Sequence, residues 1–488
     1  MLFRISGVIA LLSLGIWGCS KNELPAEEII ARVSNHPIEW VQLRRSFELN
    51  PKWGKGLTYR QAYLNQLNYL TDQKLFALAA RSAGLDQDSL LAQRLEFIHE
   101  KEMIKELYRQ KVAKRVEISK EEYQQGYRNL KKRIRLNYIF TPDSVRALAY
   151  FSRLQFTPFK DLQLENDIQE RKGATPLFTF GDMEPQIEEA AFALKLGESA
   201  GPLPVKNGFM VIQLAYGETD KFMSDNDFAE KKNKVHKIIW DRKAGQIANR
   251  YIKELMLSKN LDLNPPVFYA LAGQFSRVVQ NKFSTDPSPV YINNEEIRQV
   301  KLKLSDISGE VLIRHREGEM TVADFLARLS RMPAELRPKV KTAKQLKDAV
   351  GVIVRNEYLV REAEKMRLQD NPTVLRETAA SQDAMLAYAW LEKQKKTLQA
   401  SEAEVSRFKS SRGYESLLQK AANPLSPQEA RDILLELKFR DLKIQLSDSL
   451  KTVYPVSVDS ALFLQHLKTP DKIIRKDPPR IVVRELFY

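Results

Sequence analysis

The chain has 488 residues, which is more than one hydrophobic core of ordinary size holds, so the sequence predicts two or three domains. Its hydrophobic fraction of 43% and its lack of long Gly/Ser or Gln tracts exclude an extended disordered protein. The formal net charge of +15 favours acidic partners, such as an anionic membrane surface or unfolded chains rich in carboxylates. Nucleic acid is not expected as a partner, because Lys and Arg alternate with Glu and Asp along helical segments in the pattern of a solvated face.

The first nineteen residues predict an export signal. One positive charge at Arg4 precedes an apolar run from Val8 to Trp17 that is too short to remain as a membrane-spanning helix. The sequence Ile16-Trp17-Gly18-Cys19 resembles the lipobox of bacterial lipoproteins. That resemblance implies a signal peptide over residues 1–18, lipid attachment at Cys19 and a tether over residues 19–28. An uncleaved or conventionally cleaved signal is the alternative.

A lipoprotein of this kind is expected on the periplasmic side of the outer membrane, because Ser20 stands where inner-membrane lipoproteins often carry Asp. In an organism without an outer membrane, the exterior of the cell membrane is expected instead. Cys19 is the only cysteine of the chain, so no disulfide can form within it.

Residues 29–131 predict an N-terminal helical segment. A short apolar strand and a turn at Asn35-His36-Pro37 lead into it, and a helical pattern then runs from Thr58 to about Val116 with a break at Gly84. Ser119 and Glu122 have the spacing of a capping box that opens another helix. An apolar stripe in this segment is expected to face the core, and it consists of Leu90, Leu91, Phe97, Ile98 and Ile104.

Residues 132–217 predict a compact α+β unit. In its first strand, RIRLNYIF, alternation places Ile134, Leu136, Tyr138 and Phe140 on one face. The sequence GFMVIQL predicts the last strand. The helix that follows the first strand is expected to turn four apolar side chains inward, namely Val145, Leu148, Phe151 and Leu154.

The rest of the chain predicts a second copy of the N-terminal segment. Gly318–Phe325 follows His36–Leu43 at the same offset in residue number at which Ser401 follows Ser119. The predicted segments are a helical segment packing back on the N-terminal arm at 218–275, a second helical repeat at 276–405, and a C-terminal helical segment without an α+β insert at 406–488. For the last helix, chance similarity between two basic amphipathic helices is the alternative.

The segment GDMEPQIEEAAFALKLGESAGPLPVKNGFMVIQL, Gly181 to Leu214, resembles the second half of parvulin-type (PpiC-like) peptidylprolyl isomerase domains. RIRLNYIF resembles the first strand of that family, and the flanking helical segments resemble the arms of exported SurA/PrsA-like foldases. The resemblance implies an α+β protein in which mostly α-helical chaperone arms carry one inserted parvulin-like domain, a small antiparallel sheet with helices.

Parvulins surround an apolar proline pocket with a polar network of two histidines and a Cys or Asp. By resemblance, the first histidine position falls on Tyr138, the Cys or Asp position on Asn166 or Asp167, and the last-strand histidine on Met210. Because both histidines are replaced, no catalytic residue is assigned and isomerase activity stays open. The substrate-binding positions that the resemblance implies are Tyr138, Thr175, Phe178, Met183, Ile187, Asn207 and Met210.

No cofactor and no metal are expected. The five histidines have no metal-like spacing, and the sequence lacks a Gly-rich phosphate loop, a Gly-x-Ser-x-Gly elbow and a His-Glu-x-x-His motif. Three functions remain: a lipid-anchored periplasmic foldase or chaperone that binds unfolded exported or outer-membrane proteins, an active peptidylprolyl cis-trans isomerase, and a non-catalytic scaffold lipoprotein of an envelope complex. The sequence leaves the oligomeric state open.

Overall fold

The computed structural model describes residues 28–49, 54–165, 170–220, 225–283, 292–418 and 425–475. Cys19, Asn166 and Asp167 lie outside the described residues. The chain is mostly helical with small antiparallel sheets, which confirms the α+β class expected from the sequence. It forms two compact units, one described within residues 28–106 and 261–475 and the other within residues 107–260. No helix in the described ranges combines the length and apolarity that crossing a membrane requires.

The strands are, in chain order, β1 (Ile29–Val33), β2 (His36–Glu39), β3 (Lys132–Thr141), β4 (Arg171–Ala174), β5 (Ser199–Val205), β6 (Gly208–Thr219), β7 (Asp262–Leu263), β8 (Val311–His315), β9 (Gly318–Thr321) and β10 (Val456–Val458). The α-helices are, in chain order, α1 (Trp40–Leu49), α2 (Tyr59–Ser82), α3 (Ser89–Lys111), α4 (Lys120–Leu130), α5 (Ser144–Arg153), α6 (Phe159–Leu164), α7 (Pro185–Ala193), α8 (Asp225–Leu257), α9 (Pro265–Phe283), α10 (Asn294–Lys303), α11 (Val322–Arg331), α12 (Ala343–Lys365), α13 (Pro372–Lys395), α14 (Glu402–Lys409), α15 (Arg412–Leu418), α16 (Pro427–Val453) and α17 (Ser460–Gln465).

The first unit contains two antiparallel three-stranded sheets, with strand orders β10-β1-β2 and β7-β8-β9. Each is a hairpin completed by one strand from a distant part of the chain. The core beneath the first sheet is contributed by β1, β2, α1, α2 and α17, and its fully buried members include Ile30, Val33, Ile38, Leu43, Leu67 and Phe463. These apolar side chains bind the N-terminal hairpin to the C-terminal part of the chain.

Helices α2 and α13 pack directly against each other in the first unit. The rings of Phe76 and Trp390 stack with centroids 5.6 Å apart. Next to them, Lys74 Nζ donates a buried 2.9 Å hydrogen bond to Asp383, which also pairs with Arg81 at 2.8 Å. Because an unpaired charge is costly in such surroundings, the ion pair fixes how the two helices meet.

The predicted helix ends are present in the structure. Ser119 Oγ accepts the Glu122 N–H at 3.2 Å and Glu122 accepts the Ser119 N–H at 2.8 Å, which closes the capping box at α4. Gly84, after the end of α2, has a left-handed φ of +70° that suits glycine.

The predicted stripe of α3 is buried at Leu91, Ile98 and Ile104, whereas Leu90 is 38% exposed. The expectation for Leu90 was wrong because Leu90 lies in the first turn of α3, where its side chain faces solvent.

The second unit is built on a four-stranded antiparallel sheet of order β4-β3-β6-β5. One face packs on α5 and α6 through Ile139, Tyr150, Phe159, Leu162 and Val211. The other packs on α7 through Ile134, Leu136, Ile187, Ile212 and Leu214. The alternation predicted for β3 is therefore present, with Ile134 and Leu136 on the α7 side and Ile139 on the opposite side.

Helix α5 differs from the prediction. Val145 and Leu148 are 74% and 54% exposed, and Ala147 and Tyr150 are buried instead. Phe151 and Leu154 are partly buried, as expected. The inward stripe of 147, 150, 151 and 154 follows helical spacing, and Tyr150 is accepted inside because its hydroxyl donates to Glu170 at 2.8 Å.

Candidate functional site

Tyr138 lies on the α7 face of the sheet, opposite Gly173 on β4 and Ile212 on β6. A Cβ added to Gly173 would meet the Tyr138 hydroxyl at 3.6 Å, so the phenol ring covers this glycine. Gln163 Nε2 donates to the carbonyl oxygens of Tyr138 at 3.1 Å and Gly173 at 2.8 Å, which holds the two strands in place. Among the described residues the Tyr138 hydroxyl has no hydrogen-bond partner, and the side chain is partly exposed. It is available to a ligand.

A second row of side chains crosses the same face two residues along β3. Phe140 lies opposite Met210 on β6 and Arg171 on β4, and Met210 lies opposite Leu203 on β5. The Arg171 guanidinium stands 5.9 Å from the centre of the Phe140 ring. Met210 is the diagonal neighbour of Tyr138, a separation that long side chains on one face can bridge.

Met183 is placed by a turn that a buried carboxylate holds. Glu188 on α7 is 1% exposed, and its Oε1 accepts the backbone N–H groups of Gly181 and Met183 at 2.8 Å each. Arg242 on α8 donates to the other oxygen at 2.6 Å. Sequence reasoning missed Glu188, because an acidic residue on a short helix is normally assigned to solvent. The turn keeps Met183 partly buried against the apolar face.

Strand β4 is held from behind the sheet by Lys172. Its Nζ donates to Tyr150 Oη at 3.0 Å and to the carbonyl oxygens of Leu162 and Glu165 at 3.2 and 2.7 Å, and it pairs with Glu170 at 3.0 Å. Burial lowers the pKa of Lys172, but the bonds to Tyr150 and Glu170 outweigh it, so the pKa is raised above its usual value. The ammonium therefore stays charged and fixes the strand that carries Gly173 and Arg171.

The seven predicted substrate-binding residues lie in three different environments in the structure. Tyr138, Met183 and Met210 lie together on the apolar face and are partly exposed. Phe178 and Ile187 belong to the core beneath them, at 6% and 3% exposure.

The other two predicted residues, Thr175 and Asn207, have structural roles in the backbone. Thr175 Oγ1 accepts the Leu136 N–H at 3.0 Å and so extends the pairing of β3 and β4. Asn207 occupies the exposed turn between β5 and β6 with φ of +69°, a conformation that Asn tolerates better than most residues.

No histidine lies on this face in the described part of the second unit. Its one histidine, His236, stacks on Tyr123 at 5.9 Å on α4 and α8. The described residues also contain no cluster of His, Cys, Asp and Glu able to hold a metal ion. Within the described ranges the site is an apolar surface that carries the phenol of Tyr138 and has Arg171 at its edge.

No family model matches the chain. Among curated proteins, "Foldase protein PrsA" of Caldanaerobacter subterraneus subsp. tengcongensis is 23% identical to this chain over 303 residues, which are 54% of this chain and 96% of that protein. The chain is similar to PrsA-type foldases. This similarity confirms the resemblance to parvulin-type foldases that the sequence motifs indicated.

Solved structures of proteins named PrsA or SurA-like chaperone are also similar to this chain. The peptidylprolyl isomerase PrsA of Bacillus anthracis has 20% identity and a TM-score of 0.19, and the match covers 28% of this chain and 64%, less than two thirds, of that one. A SurA-like chaperone of Campylobacter jejuni has 17% identity and a TM-score of 0.21, over 48% of this chain and 99% of that one.

Proposed function

We propose that this protein is a lipid-anchored foldase or chaperone of the cell envelope that binds unfolded exported chains. The observation that carries the proposal is the partly exposed apolar face of the parvulin-like sheet, with Tyr138, Met183 and Met210 on it and no histidine among its described residues. Such a surface offers apolar side chains that can grip a polypeptide.

The expected clients are extended segments with Pro, aromatic or aliphatic side chains. Met183 and Met210 are unbranched and polarizable, so they adapt to ligands of different shape. Arg171 at the edge of the face and the net charge of +15 favour acidic residues next to the apolar ones. Binding is expected to be weak and sequence-tolerant, with affinity gained from several contacts along one client.

The membrane attachment belongs to the same proposal. Lipid at Cys19 would contribute about 0.8 kcal/mol per buried methylene and hold the protein at the periplasmic side of the outer membrane, or at the cell exterior where no outer membrane exists. Metabolic labelling with an alkyne fatty acid tests it: label is expected on the wild type and absent from Cys19→Ser, and label on both would contradict the assignment.

Suppression of aggregation of a urea-unfolded outer-membrane protein tests the chaperone function. The wild type is expected to reduce light scattering at equimolar ratio, and Tyr138→Ala/Met210→Ala is expected to be clearly weaker. Lys206→Ala, an exposed change on the turn before β6, serves as the matched control and should behave as the wild type. No suppression at severalfold excess would instead favour the scaffold lipoprotein.

A second candidate is peptidylprolyl isomerase activity, favoured by the unpartnered hydroxyl of Tyr138 at the family's first histidine position. The barrier to be lowered is about 20 kcal/mol and no bond to the chain breaks, so a phenol near the carbonyl is chemically sufficient to orient it. In a protease-coupled proline-peptide assay, a rate above background that Tyr138→Phe abolishes would support activity. A rate equal to background at high protein concentration leaves binding alone.

A further inference from the structure

The two repeats begin with matching elements. The offset in residue number from Ile29 to Val311, the first residues of β1 and β8, is the same as the offset from β2 to β9 and from α1 to α11. We call it the repeat offset. The hairpin β1–β2 and the hairpin β8–β9 therefore occupy equivalent positions in the first unit. Each is a two-stranded ribbon, which is marginally stable until a third strand or a helix covers it.

The long helices that end the repeats also match, through the same lysine contacts. Lys243 on α8 donates to the Glu117 carbonyl oxygen at 2.6 Å and to Glu122 at 2.7 Å. Lys438 on α16 donates to the Gln399 carbonyl oxygen and to Glu404, both at 2.7 Å.

Gln399 and Glu404 follow Glu117 and Glu122 by the repeat offset, so the two lysines are equivalent. The lysine and its carboxylate are 121 residues apart in the first repeat and 34 in the second. The extra length in the first repeat is taken up by the α+β unit between α4 and α8.

The segments after these helices, which we call legs, cross between the repeats. The first leg consists of β7 and α9, and the second of β10 and α17. Leu263 of β7 pairs with Ile313 of β8, and Val458 of β10 pairs with Ala31 of β1. Since Ile313 follows Ala31 by the repeat offset, both legs enter the opposite hairpin at the same register.

The hydrogen bond next to each crossing is repeated as well. The Asn264 N–H donates to the Leu312 carbonyl oxygen at 2.9 Å, and the Asp459 N–H donates to the Ile30 carbonyl oxygen at 3.0 Å. Both legs carry a buried phenylalanine four residues further on, Phe268 and Phe463, at 4% and 2% exposure. Phe463 completes the core under the first hairpin.

We propose that the second repeat acts as a built-in partner subunit. The first half of the chain, residues 28–283, holds both a hairpin that accepts a leg and a leg that fits a hairpin, so it is complementary to a second copy of itself. In this chain the second repeat takes the place of that copy, its leg closes the first hairpin in cis, and the result is a monomer with one parvulin-like unit for two repeats.

Disulfide trapping in the full mature chain tests this assignment. Cys19→Ser removes the only native cysteine, and a protease site placed within residues 284–291 separates the halves.

The crossed pairs are Arg32→Cys/Ser457→Cys and Asp262→Cys/Arg314→Cys, both at exposed positions directly opposite each other. Opposite residues of antiparallel strands are within disulfide range. The matched uncrossed controls are Arg32→Cys/Asp262→Cys and Arg314→Cys/Ser457→Cys.

After oxidation, the crossed variants are expected to have the mass of one chain by light scattering. After cleavage they should remain at full length on a denaturing gel and separate into two fragments only on reduction. Each uncrossed pair has both cysteines in the same half, so its fragments separate without reduction in any case, and labelling of free thiols after oxidation should show that both cysteines are unlinked. Linkage of the uncrossed pairs would show that each leg returns to its own hairpin, and crossed disulfides between two chains would show that the partner is a second copy. Either result overturns the proposal, whatever the outcome of the chaperone test.

Discussion

The Arg242 guanidinium donates to the buried Glu188 carboxylate at 2.6 Å, beneath the turn that carries Met183. The same carboxylate accepts two backbone N–H groups of that turn. A charge that is nearly removed from water is thus used to place one residue of the proposed binding face, and both partners are required because either one alone would be left unpaired in the interior.

Glu188→Ala is therefore expected to lower the free energy of unfolding of the second unit by about 3–5 kcal/mol, since it leaves Arg242 and two N–H groups without their partner. Glu188→Gln keeps an acceptor and should cost about 1–3 kcal/mol. Urea denaturation followed by tryptophan fluorescence measures both changes. Glu189→Ala, an exposed change one residue further on α7, is the control and should stay within about 0.5 kcal/mol of the wild type. Equal effects of the changes at 188 and 189 would show that the buried pair does not hold the turn.

The contrast between Tyr138 and Glu188 defines what the sequence could reveal of the site. Tyr138 was found because strand alternation and a family motif both identify its position. Glu188 follows no such pattern, because its role arises from a turn and from Arg242, 54 residues away in sequence. Thr175 was identified as a site position, yet its hydroxyl pairs with the backbone of β3, a partner that only the sheet register reveals.

Truncation of the two methionines is expected to weaken client binding. Met183 and Met210 are partly buried on the apolar face, so each change to Ala removes contact area worth about 1 kcal/mol, or about a fivefold rise in Kd for a labelled proline- and aromatic-rich peptide. Fluorescence anisotropy measures this, with Lys206→Ala as the control. A Kd unchanged in both methionine variants would place the peptide elsewhere on the protein.

Any side chain at Gly208, at the start of β6, is expected to destabilise the second unit. A Cβ there would lie 2.5 Å from the Thr141 carbonyl oxygen and 2.8 Å from the Phe140 ring. Gly208→Ala should therefore displace Phe140 and cost about 1–3 kcal/mol of the free energy of unfolding. Gly245→Ala, in α8 where nothing lies within 4 Å, should instead stabilise the unit by about 0.5–1 kcal/mol because Ala favours the helix. Thermal unfolding of the two variants measures the difference, and a stabilising effect of both would contradict the close packing at Phe140.

Local contacts of the fold could be predicted from the sequence, whereas contacts between residues far apart in the chain could not. The capping box at Ser119 and the break at Gly84 are local, and the sequence predicted them. The pairing of Val458 with Ala31 joins residues at opposite ends of the chain, and a constant repeat offset gives no information on which hairpin each leg enters. Apolarity predicts Val145 and Leu148 inward, whereas the structure buries Ala147 and Tyr150 and gives the Tyr150 hydroxyl a partner in Glu170, which lies outside the helix.

Acid is expected to loosen the contact between α14 and α16. The hydrogen bond from Lys438, together with the Ser401 N–H and hydroxyl, lowers the pKa of Glu404 from 4.5 to about 2. A carboxyl group with a depressed folded-state pKa stabilises the fold fully above 4.5, and that contribution is lost as the pH falls from 4.5 towards about 2. The wild type should therefore be more stable than Glu404→Gln at pH 7, with the difference vanishing near pH 2. Chemical denaturation across this range measures it, and Glu415→Gln, at an exposed position, is the control. A difference that persists unchanged at pH 2 would mean that Glu404 stabilises the helix start by something other than its charge.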